Sequence, residues 1–125
     1  MIPFIKTTTP PFTLSLETNS NLWGRTLNPW NKEKAAGGSS GGESSIISSR
    51  CSFIGVGTDA AGSIRVPSHF CGIFGLRSYS KRIPFTYQAE LSKPFYSYGK
   101  ITSQSTGPLG RSSKDLALFM DVATN

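Results

Sequence analysis

Two serines in glycine-rich surroundings constrain this chain more than any other feature of its sequence. Ser39 lies in Gly-Gly-Ser-Ser-Gly-Gly-Glu, which spans Gly37–Glu43, and Ser63 lies 24 positions later (63 − 39) in a second run, Gly55–Arg65. Runs of glycine and serine are typical of flexible linkers. The context argues against a linker here, because the first run is short and leads into a predicted helix, and the second follows a predicted strand. We therefore expect a pair of ordered loops, the first serine loop around Ser39 and the second serine loop around Ser63.

Predicted helices and strands alternate around both loops. Apolar runs bounded by glycine indicate buried strands, and glycines inside such strands often mark the close approach of another backbone or a ligand. Glu43 suits the positive N-terminal end of a helix. A strand–loop–helix–strand unit of this kind predicts an α/β fold. The expected elements are a helix beginning at Ser40 or Gly41 and running to Ser49, a buried strand at Phe53–Gly57, a short helix at Ser63–Phe70 and a buried strand at Ile73–Leu76.

The rest of the chain carries further signals of secondary structure. Ile2–Thr9 is short, apolar and rich in Ile and Thr, which predicts a strand. The pair Gly107-Pro108 predicts a turn. A helix capped by Ser112 or Ser113 is expected near the end of the chain, because apolar residues follow at helical spacing and form one face. That face comprises Leu116, Phe119, Met120 and Ala123. Short strands are also expected at Phe85–Tyr87 and Phe95–Tyr98.

The charge pattern argues against a nucleic-acid-binding protein. The formal net charge is +6, from 13 Lys and Arg against 7 Asp and Glu, but the basic residues are scattered along the chain. Neither a block of like charge nor a nucleic-acid-binding motif accompanies them. An ordinary solvated surface is therefore the favoured interpretation, and a basic binding module is an alternative that rests on net charge alone.

Cysteine usage and hydropathy limit the class of protein. Cys51 and Cys71 form no metal-binding spacing with the single histidine, His69. Reduced thiols are therefore expected, with a disulfide between the two cysteines left open. The N-terminus has no signal-peptide pattern, and no apolar run approaches the roughly 18–20 residues of a membrane span. We expect an intracellular protein, with membrane association and oligomeric state left open.

The order of elements excludes a nucleophile of the α/β-hydrolase type. The run Gly37–Gly42 matches Gly-x-Ser-x-Gly, and Ser39, Asp59 and His69 follow the triad order of that fold. That motif needs a strand immediately before its serine, and the segment 31–36 does not resemble one. His69 also comes too early in the chain. We interpret it as a partly buried structural histidine.

A mechanism that uses both serines fits the residues better. Ser63 follows a glycine-containing turn at the expected start of a helix, where the backbone N–H groups of residues 60–63 could converge on an oxyanion. A serine nucleophile needs a base, and the chain has no second histidine. A relay through Ser39 to a lysine would meet that need.

The sequence resembles the amidase signature hydrolases. Several motifs match together, with the serine spacing of that family. The matching segments are Asn28–Asn31, Gly37–Glu43, Gly57–Ser68, Phe70–Arg77, Gly107–Arg111 and Asp115–Leu118. The resemblance implies a partial amidase-signature α/β/α core with a mixed sheet. Glu43 directly after the double glycine favours the fatty acid amide hydrolase-like branch over the branch that feeds ammonia to glutamyl-tRNA amidation.

The resemblance also implies a Ser–Ser–Lys triad. It would hydrolyse a small-molecule carboxylic amide, such as a fatty acid amide, through an acyl-enzyme and without a metal or cofactor. Ser63 would be the nucleophile, and Ser39, held by a cis peptide bond after Gly38, would be the relay. The oxyanion hole would consist of the backbone N–H groups of Ala60, Ala61, Gly62 and Ser63. The supporting residues would be Gly38, Ser40, Asp59 and Arg65.

The chain departs from the family pattern in two places. Ala61 stands where the family has glycine, which would alter the oxyanion hole if that position needs a positive φ. The triad lysine of the family lies in a strand well upstream of the double-glycine loop, and Lys6 does not match it. We therefore expect residues 1–125 to form a single partial amidase domain with its signature core at about 28–77, lacking the lysine strand and the C-terminal part of the family domain.

Two alternatives to a fatty acid amide hydrolase-like amidase stay open, the first of which follows from the missing lysine. We expect the 125-residue chain by itself to be inactive, because Ser39 and Ser63 are present without the lysine that would act as their base. A truncated non-catalytic remnant, or pseudoenzyme, is one alternative. The other is an amidase similar to the ammonia-supplying component of the glutamyl-tRNA amidotransferase.

Overall fold

Short helices and strands surround a three-stranded sheet in the described part of the chain. The computed structural model describes residues 2–83 and 104–124. In chain order the elements are a 3₁₀ helix (Pro11–Thr13), β1 (Asn19–Ser20), β2 (Gly24–Arg25), α1 (Gly41–Ser48), β3 (Ile54–Asp59), α2 (Arg65–Cys71), β4 (Phe74–Gly75), β5 (Ser105–Gly110) and α3 (Ser113–Thr124). The expectation of an α/β fold is confirmed.

Strand β5 lies at the centre of a three-stranded sheet. It runs antiparallel to β3 on one side and to β4 on the other, so the two outer strands point in the same direction. The β3–β5 register pairs Ile54 with Gly110 and Asp59 with Ser105. A separate two-stranded hairpin joins β1 to β2. The end of β3, from which the Ser63 loop departs, is therefore paired with the start of β5.

Apolar side chains from three segments form a core beside the serine loops. Ile47 of α1, Ile64 before α2 and Leu109 of β5 are fully buried in one cluster, with Ile46 and Ile73 packed against it. Burial of an aliphatic side chain of this size stabilises a fold by about 1.5–3 kcal/mol. Because Ile64 directly follows Ser63 in the chain, this core anchors the second serine loop.

Helix α2 ends in a Schellman motif. Gly72 takes a left-handed conformation with φ +65°, which glycine adopts without the steric cost of a Cβ. The N–H of Ile73 donates to the carbonyl of Ser68 at 3.0 Å, and the N–H of Gly72 donates to that of His69 at 3.4 Å. These bonds satisfy carbonyl groups at the helix end and turn the chain into β4.

The expected helices around the first serine loop and near the chain end are confirmed as α1 and α3. Ser112 caps α3, since its Oγ accepts a hydrogen bond from the N–H of Asp115 at 3.2 Å. Leu116 and Phe119 are buried, and Met120 is half-buried. The apolar stripe therefore packs inward, as its spacing predicts.

The turn expected at Gly107-Pro108 is wrong, because both residues lie in the middle of β5. Proline is uncommon in a central strand, since it has no N–H to donate to the ladder. Here the carbonyl of Pro108 accepts a hydrogen bond from the N–H of Leu76 at 3.0 Å, one residue beyond the end of β4. The proline thus lies where pairing with β4 ends.

Three further expectations need correction. Segment 2–9 forms no strand; it is mostly exposed and reaches α1 through the hydrogen bond from the N–H of Gly42 to the carbonyl of Thr8 at 3.3 Å. Strand β3 forms, but Phe53 beside it is 81% exposed. Strand β4 also forms, but Phe74 is 53% exposed. In the described part of the chain β3 and β4 are outer strands, and their only buried residues are Gly57 and Asp59, at the end of β3. The strands expected at Phe85–Tyr87 and Phe95–Tyr98 lie outside the described residues.

Replacing Gly107 by alanine is expected to lower the free energy of unfolding by about 2–3 kcal/mol. A Cβ at this position would collide with the carbonyl oxygen of Leu76, which belongs to the backbone and cannot rotate away. Gly110→Ala is the matched control in the same strand, because its Cβ would approach only side chains of α3, at 3.2 Å or more. Urea unfolding followed by circular dichroism measures both variants. Equal losses would contradict the pairing of β4 with β5.

Candidate active site

The two serine loops are joined by a backbone hydrogen bond. The N–H of Ser40 donates to the carbonyl of Ser63 at 3.1 Å. Ser39 is only 2% exposed, whereas Ser63 is half-buried. The peptide bond between Gly38 and Ser39 is cis, as the resemblance implies. The fold therefore brings together the two segments that the sequence singled out.

Helix α1 begins in the first serine loop, directly after Ser40. Its first turn closes through the hydrogen bond from the N–H of Ser44 to the carbonyl of Ser40 at 3.0 Å. Glu43 lies in this turn, and its Oε2 accepts a hydrogen bond from the hydroxyl of Thr7 at 2.7 Å. Burial raises the pKa of the Glu43 carboxyl, and the Thr7 bond offsets part of that rise. The contact ties segment 2–9 to the start of α1.

Asp59 organises the loop that carries Ser63. Its carboxylate is fully buried at the end of β3. Oδ1 accepts a hydrogen bond from the N–H of Gly62 at 2.8 Å. Oδ2 accepts from the N–H groups of Ile64 at 3.1 Å and Arg65 at 3.3 Å. One carboxylate therefore binds backbone donors on both sides of Ser63 and holds the loop in a tight turn.

Two arginines balance the buried charge of Asp59. The guanidinium of Arg65 forms a bidentate pair with it, Nε to Oδ2 and Nη2 to Oδ1, both at 3.0 Å. Arg77 Nε lies 3.6 Å from Oδ1. Burial raises the pKa of the Asp59 carboxyl, but the Arg65 guanidinium and the backbone donors outweigh it and lower that pKa to about 2. The carboxyl is therefore ionised at neutral pH.

Arg77 is a site residue that sequence reasoning did not single out. It lies at the end of a matching segment, Phe70–Arg77, but a lone arginine after a short strand gives no local sign of its partner. The contact with Asp59 spans 18 positions (77 − 59) and arises because β4 returns beside the loop. Only the tertiary arrangement reveals it.

Three of the four expected oxyanion donors keep their N–H groups available. The fourth, the N–H of Gly62, donates to Asp59 Oδ1 at 2.8 Å. Among the described residues, the N–H groups of Ala60, Ala61 and Ser63 have no acceptor. Gly62 has φ +122°, whereas Ala61 is not among the residues of positive φ. The alanine therefore fits this turn without backbone strain.

The histidine and the cysteines lie outside this arrangement. His69 is exposed on α2, so the expectation of a partly buried histidine is wrong. Both cysteines are free thiols. Cys71 is buried, its Sγ donates to the carbonyl of Ala36 at 3.3 Å, and burial raises the pKa of its thiol to about 11. Within residues 2–83 and 104–124, no three His, Cys, Asp or Glu side chains are placed to share a metal ion.

Among residues 2–83 and 104–124, no helix has the length and apolar character needed to cross a bilayer.

Stability is expected to fall by about 2 kcal/mol between about pH 5 and pH 2 because of Asp59. Its folded pKa of about 2 lies below the ordinary value of 3.8. The stabilisation is therefore present above the unfolded pKa and is lost as pH falls through the folded one. Asp59→Asn should lack this part of the pH dependence. Urea unfolding of both proteins across this range tests the expectation, and identical slopes would contradict it. Glu43, whose pKa is raised, shifts stability in the opposite sense in both proteins.

Known proteins are similar to this chain in sequence. A family model described as Amidase matches residues 1–125. Fatty-acid amide hydrolase 1 from Sus scrofa is 41% identical over 120 residues, which cover 95% of this chain and 20% of that protein. Acetamidase from Emericella nidulans is 44% identical over 117 residues, which cover 93% of this chain and 20% of that protein.

The fold agrees with a solved structure of the same kind. A structure of fatty acid amide hydrolase matches with a TM-score of 0.80 and 36% identity, over 96% of this chain and 20% of that one. This chain therefore spans only about 20% of the length of these relatives. The family model matches every residue, and the fold agrees with that of the solved structure, so the chain belongs to the amidase family.

Proposed function

We propose that this chain supplies the nucleophile and the relay serine of an amide hydrolase. The observation that carries the proposal is the hydrogen bond from the N–H of Ser40 to the carbonyl of Ser63, which joins the two serine loops. Membership of the amidase family supports it. Residues 1–125 would form a single partial amidase domain, with the signature core at about 28–77.

In the proposed reaction, Ser63 Oγ attacks the amide carbonyl carbon. Its proton passes to Ser39 Oγ, which releases its own proton to a basic lysine. The carbonyl electrons move onto oxygen, where the N–H groups of Ala60, Ala61 and Ser63 stabilise the oxyanion. Collapse of the tetrahedral intermediate breaks the C–N bond, and the leaving amine takes the proton back through Ser39. Water then hydrolyses the ester on Ser63 by the same route and releases the carboxylic acid.

The supporting residues hold the reacting groups in place. Asp59 binds backbone donors on both sides of Ser63, and Arg65 balances the charge of that carboxylate. Gly38 and Ser40 flank the relay serine, and Ser40 carries the bond to the second loop. The role of Gly62 is to shape the turn, because its N–H is already bonded to Asp59.

The lysine of the triad is not assigned to a residue of this chain. Lys6 lies in the exposed segment 2–9 and does not match the family position. We expect residues 1–125 alone to lack hydrolytic activity for this reason. Experiments on activity should therefore use the protein expressed from its complete natural coding sequence.

Small-molecule carboxylic amides are the proposed substrate class. One similar protein is named for fatty-acid amides and another is an acetamidase, so long and short acyl groups are both to be tested. The fatty acid amide is the finer proposal, since Glu43 after the double glycine favours that branch. Neither a metal nor a cofactor enters the proposed steps.

Release of ammonia from a primary fatty acid amide and from acetamide tests this function. We expect hydrolysis of at least one of them by the complete protein and none by Ser63→Ala. Ser44→Ala is the matched control, because Ser44 is fully buried on α1 and its Oγ has no hydrogen-bond partner in the described residues. Hydrolysis by Ser63→Ala would refute the proposal. A complete protein that hydrolyses neither amide would favour the non-catalytic remnant.

A further inference from the structure

Thr18 lies beneath the first serine loop and contacts it at three backbone atoms. The side chain is buried, with 1% of the residue exposed. Its hydroxyl donates to the carbonyl of Gly37 at 2.9 Å and lies 3.4 Å from the carbonyl of Ser39. The N–H of Gly41 donates to the same hydroxyl at 3.1 Å. The backbone N–H of Thr18 also donates to the carbonyl of Gly37, at 3.1 Å.

A hydroxyl is suited to this place because it can donate and accept at once. The first N–H groups of a helix have no acceptor within the helix. Ser40, at the N-cap position of α1, makes no capping bond with its own side chain. Thr18 supplies the missing acceptor to Gly41 from 23 positions away in the sequence. With a single group it therefore caps α1 and binds the carbonyl of Gly37, which directly precedes the cis-linked pair Gly38-Ser39.

The position of Thr18 is itself anchored by the β1–β2 hairpin. Its carbonyl accepts a hydrogen bond from the N–H of Thr26 at 2.9 Å, just after β2. On the other side of the loop, the N–H of Ser40 donates to the carbonyl of Ser63 at 3.1 Å. A continuous chain of hydrogen bonds thus runs from the hairpin through Thr18 and the first serine loop to the second one.

We propose that Thr18 is a positioning residue for Ser39. Its hydroxyl holds the backbone on both sides of Ser39, at Gly37 and Gly41, so that the relay serine stays against the Ser63 loop. The inference rests on the proposed function for its effect on reactivity, but the loop geometry it describes can be measured without any reaction. Removing the hydroxyl leaves the buried N–H of Gly41 without an acceptor and the carbonyl of Gly37 without this donor. Leaving a buried polar group unpaired costs more stability than removing both partners of a hydrogen bond.

The first measurement is amide hydrogen exchange of the complete protein. Thr18→Val, which keeps the size of the side chain and removes the hydroxyl, should accelerate exchange at Gly41 and Ser40 by about tenfold. Thr18→Ser, which keeps the hydroxyl, should exchange nearly like the wild type. Thr26→Val is the matched control, because the Thr26 hydroxyl contacts Thr8 at 2.7 Å and not the serine loop. It should leave both amides unchanged.

The second measurement is the rate at which a fluorophosphonate probe labels Ser63. At saturating probe, Thr18→Val should slow labelling by about tenfold, while the probe concentration for half-maximal rate and the folded fraction stay constant. Thr18→Ser should restore the rate. If Thr18→Val does not fold, Thr18→Ala and Thr18→Ser form the deciding pair, since both lack the methyl group and only one keeps the hydroxyl.

Unchanged exchange at Gly41 and Ser40 in Thr18→Val would overturn the inference. Equal loss in Thr18→Ser would also overturn it, because the methyl group rather than the hydroxyl would then be responsible. A wild-type protein that is never labelled would refute the proposed function. The exchange measurement would still decide whether Thr18 holds the loop.

Discussion

Ser39→Ala is expected to slow acylation of Ser63 by about 10²- to 10⁴-fold, the range typical of a lost proton-transfer group. Ser39 is the proposed carrier of the proton that leaves Ser63, and alanine has no group to accept it. Ser39 is nearly inaccessible, so water does not readily replace the missing hydroxyl. The rate of fluorophosphonate labelling in the complete protein, followed by mass spectrometry, measures the effect.

The matched control for this variant is Ser44→Ala, which removes a fully buried hydroxyl five positions further along the same segment (44 − 39). It should label at the wild-type rate, because the Ser44 Oγ has no hydrogen-bond partner in the described residues. Ser39→Ala should also unfold at nearly the wild-type urea concentration. A labelling rate within about twofold of the wild type in Ser39→Ala would contradict a relay through Ser39.

Asp59→Ala is expected to lower the free energy of unfolding by about 3–5 kcal/mol. The carboxylate is fully buried and accepts hydrogen bonds from three backbone N–H groups and from Arg65. Its removal leaves the donors of Gly62 and Ile64 without an acceptor in a buried place, where the lost bonds cost most. The exposed part of Arg65 regains water, so that residue contributes the smaller share.

Urea unfolding of Asp59→Ala beside Asp59→Asn separates charge from hydrogen bonding. Asparagine keeps one acceptor oxygen in nearly the same shape, so it should retain part of the stability lost in alanine. The rate at which Ser63 is labelled should fall in both variants, and more in the alanine variant, because the turn around Ser63 loses the carboxylate that binds its backbone N–H groups. An alanine variant within about 1 kcal/mol of the wild type would show that the loop does not depend on this carboxylate.

Local signals in the sequence were sufficient for the helices that flank the site. The double glycine followed by Glu43 predicts the start of α1, and serine followed by spaced apolar residues predicts α3. Both signals act within a few residues, so the helices that they predict do not depend on distant parts of the chain. The motifs around Ser39 and Ser63 are also local in sequence, and they were sufficient to single out the two loops that the fold joins by a hydrogen bond.

The features that the sequence did not predict depend on contacts between segments far apart in the chain. Gly107-Pro108 has the composition of a turn, yet these residues pair with Gly57 and Val56 across about 50 positions of sequence. Tertiary pairing therefore outweighed local preference. The exposure of Phe53 has a similar cause, because an apolar residue is buried only when another segment covers it.

The same limit applies inside the site. The motif indicated four backbone donors around Ser63, but the commitment of Gly62 to Asp59 depends on the curvature of the turn. Thr18 and Arg77 carry no motif of their own, and their partners are 18 or more positions away. Residues of this kind can be identified only when the separate segments are seen together.

The most direct test of the central claim is the position of a covalent adduct. The complete protein is treated with a fluorophosphonate, digested and sequenced by tandem mass spectrometry. A single adduct on Ser63, absent after Ser63→Ala and slow to form after Ser39→Ala, is the predicted result. An adduct on Ser39 or on any other residue, or a protein that stays unmodified while fully folded, would contradict Ser63 as the nucleophile.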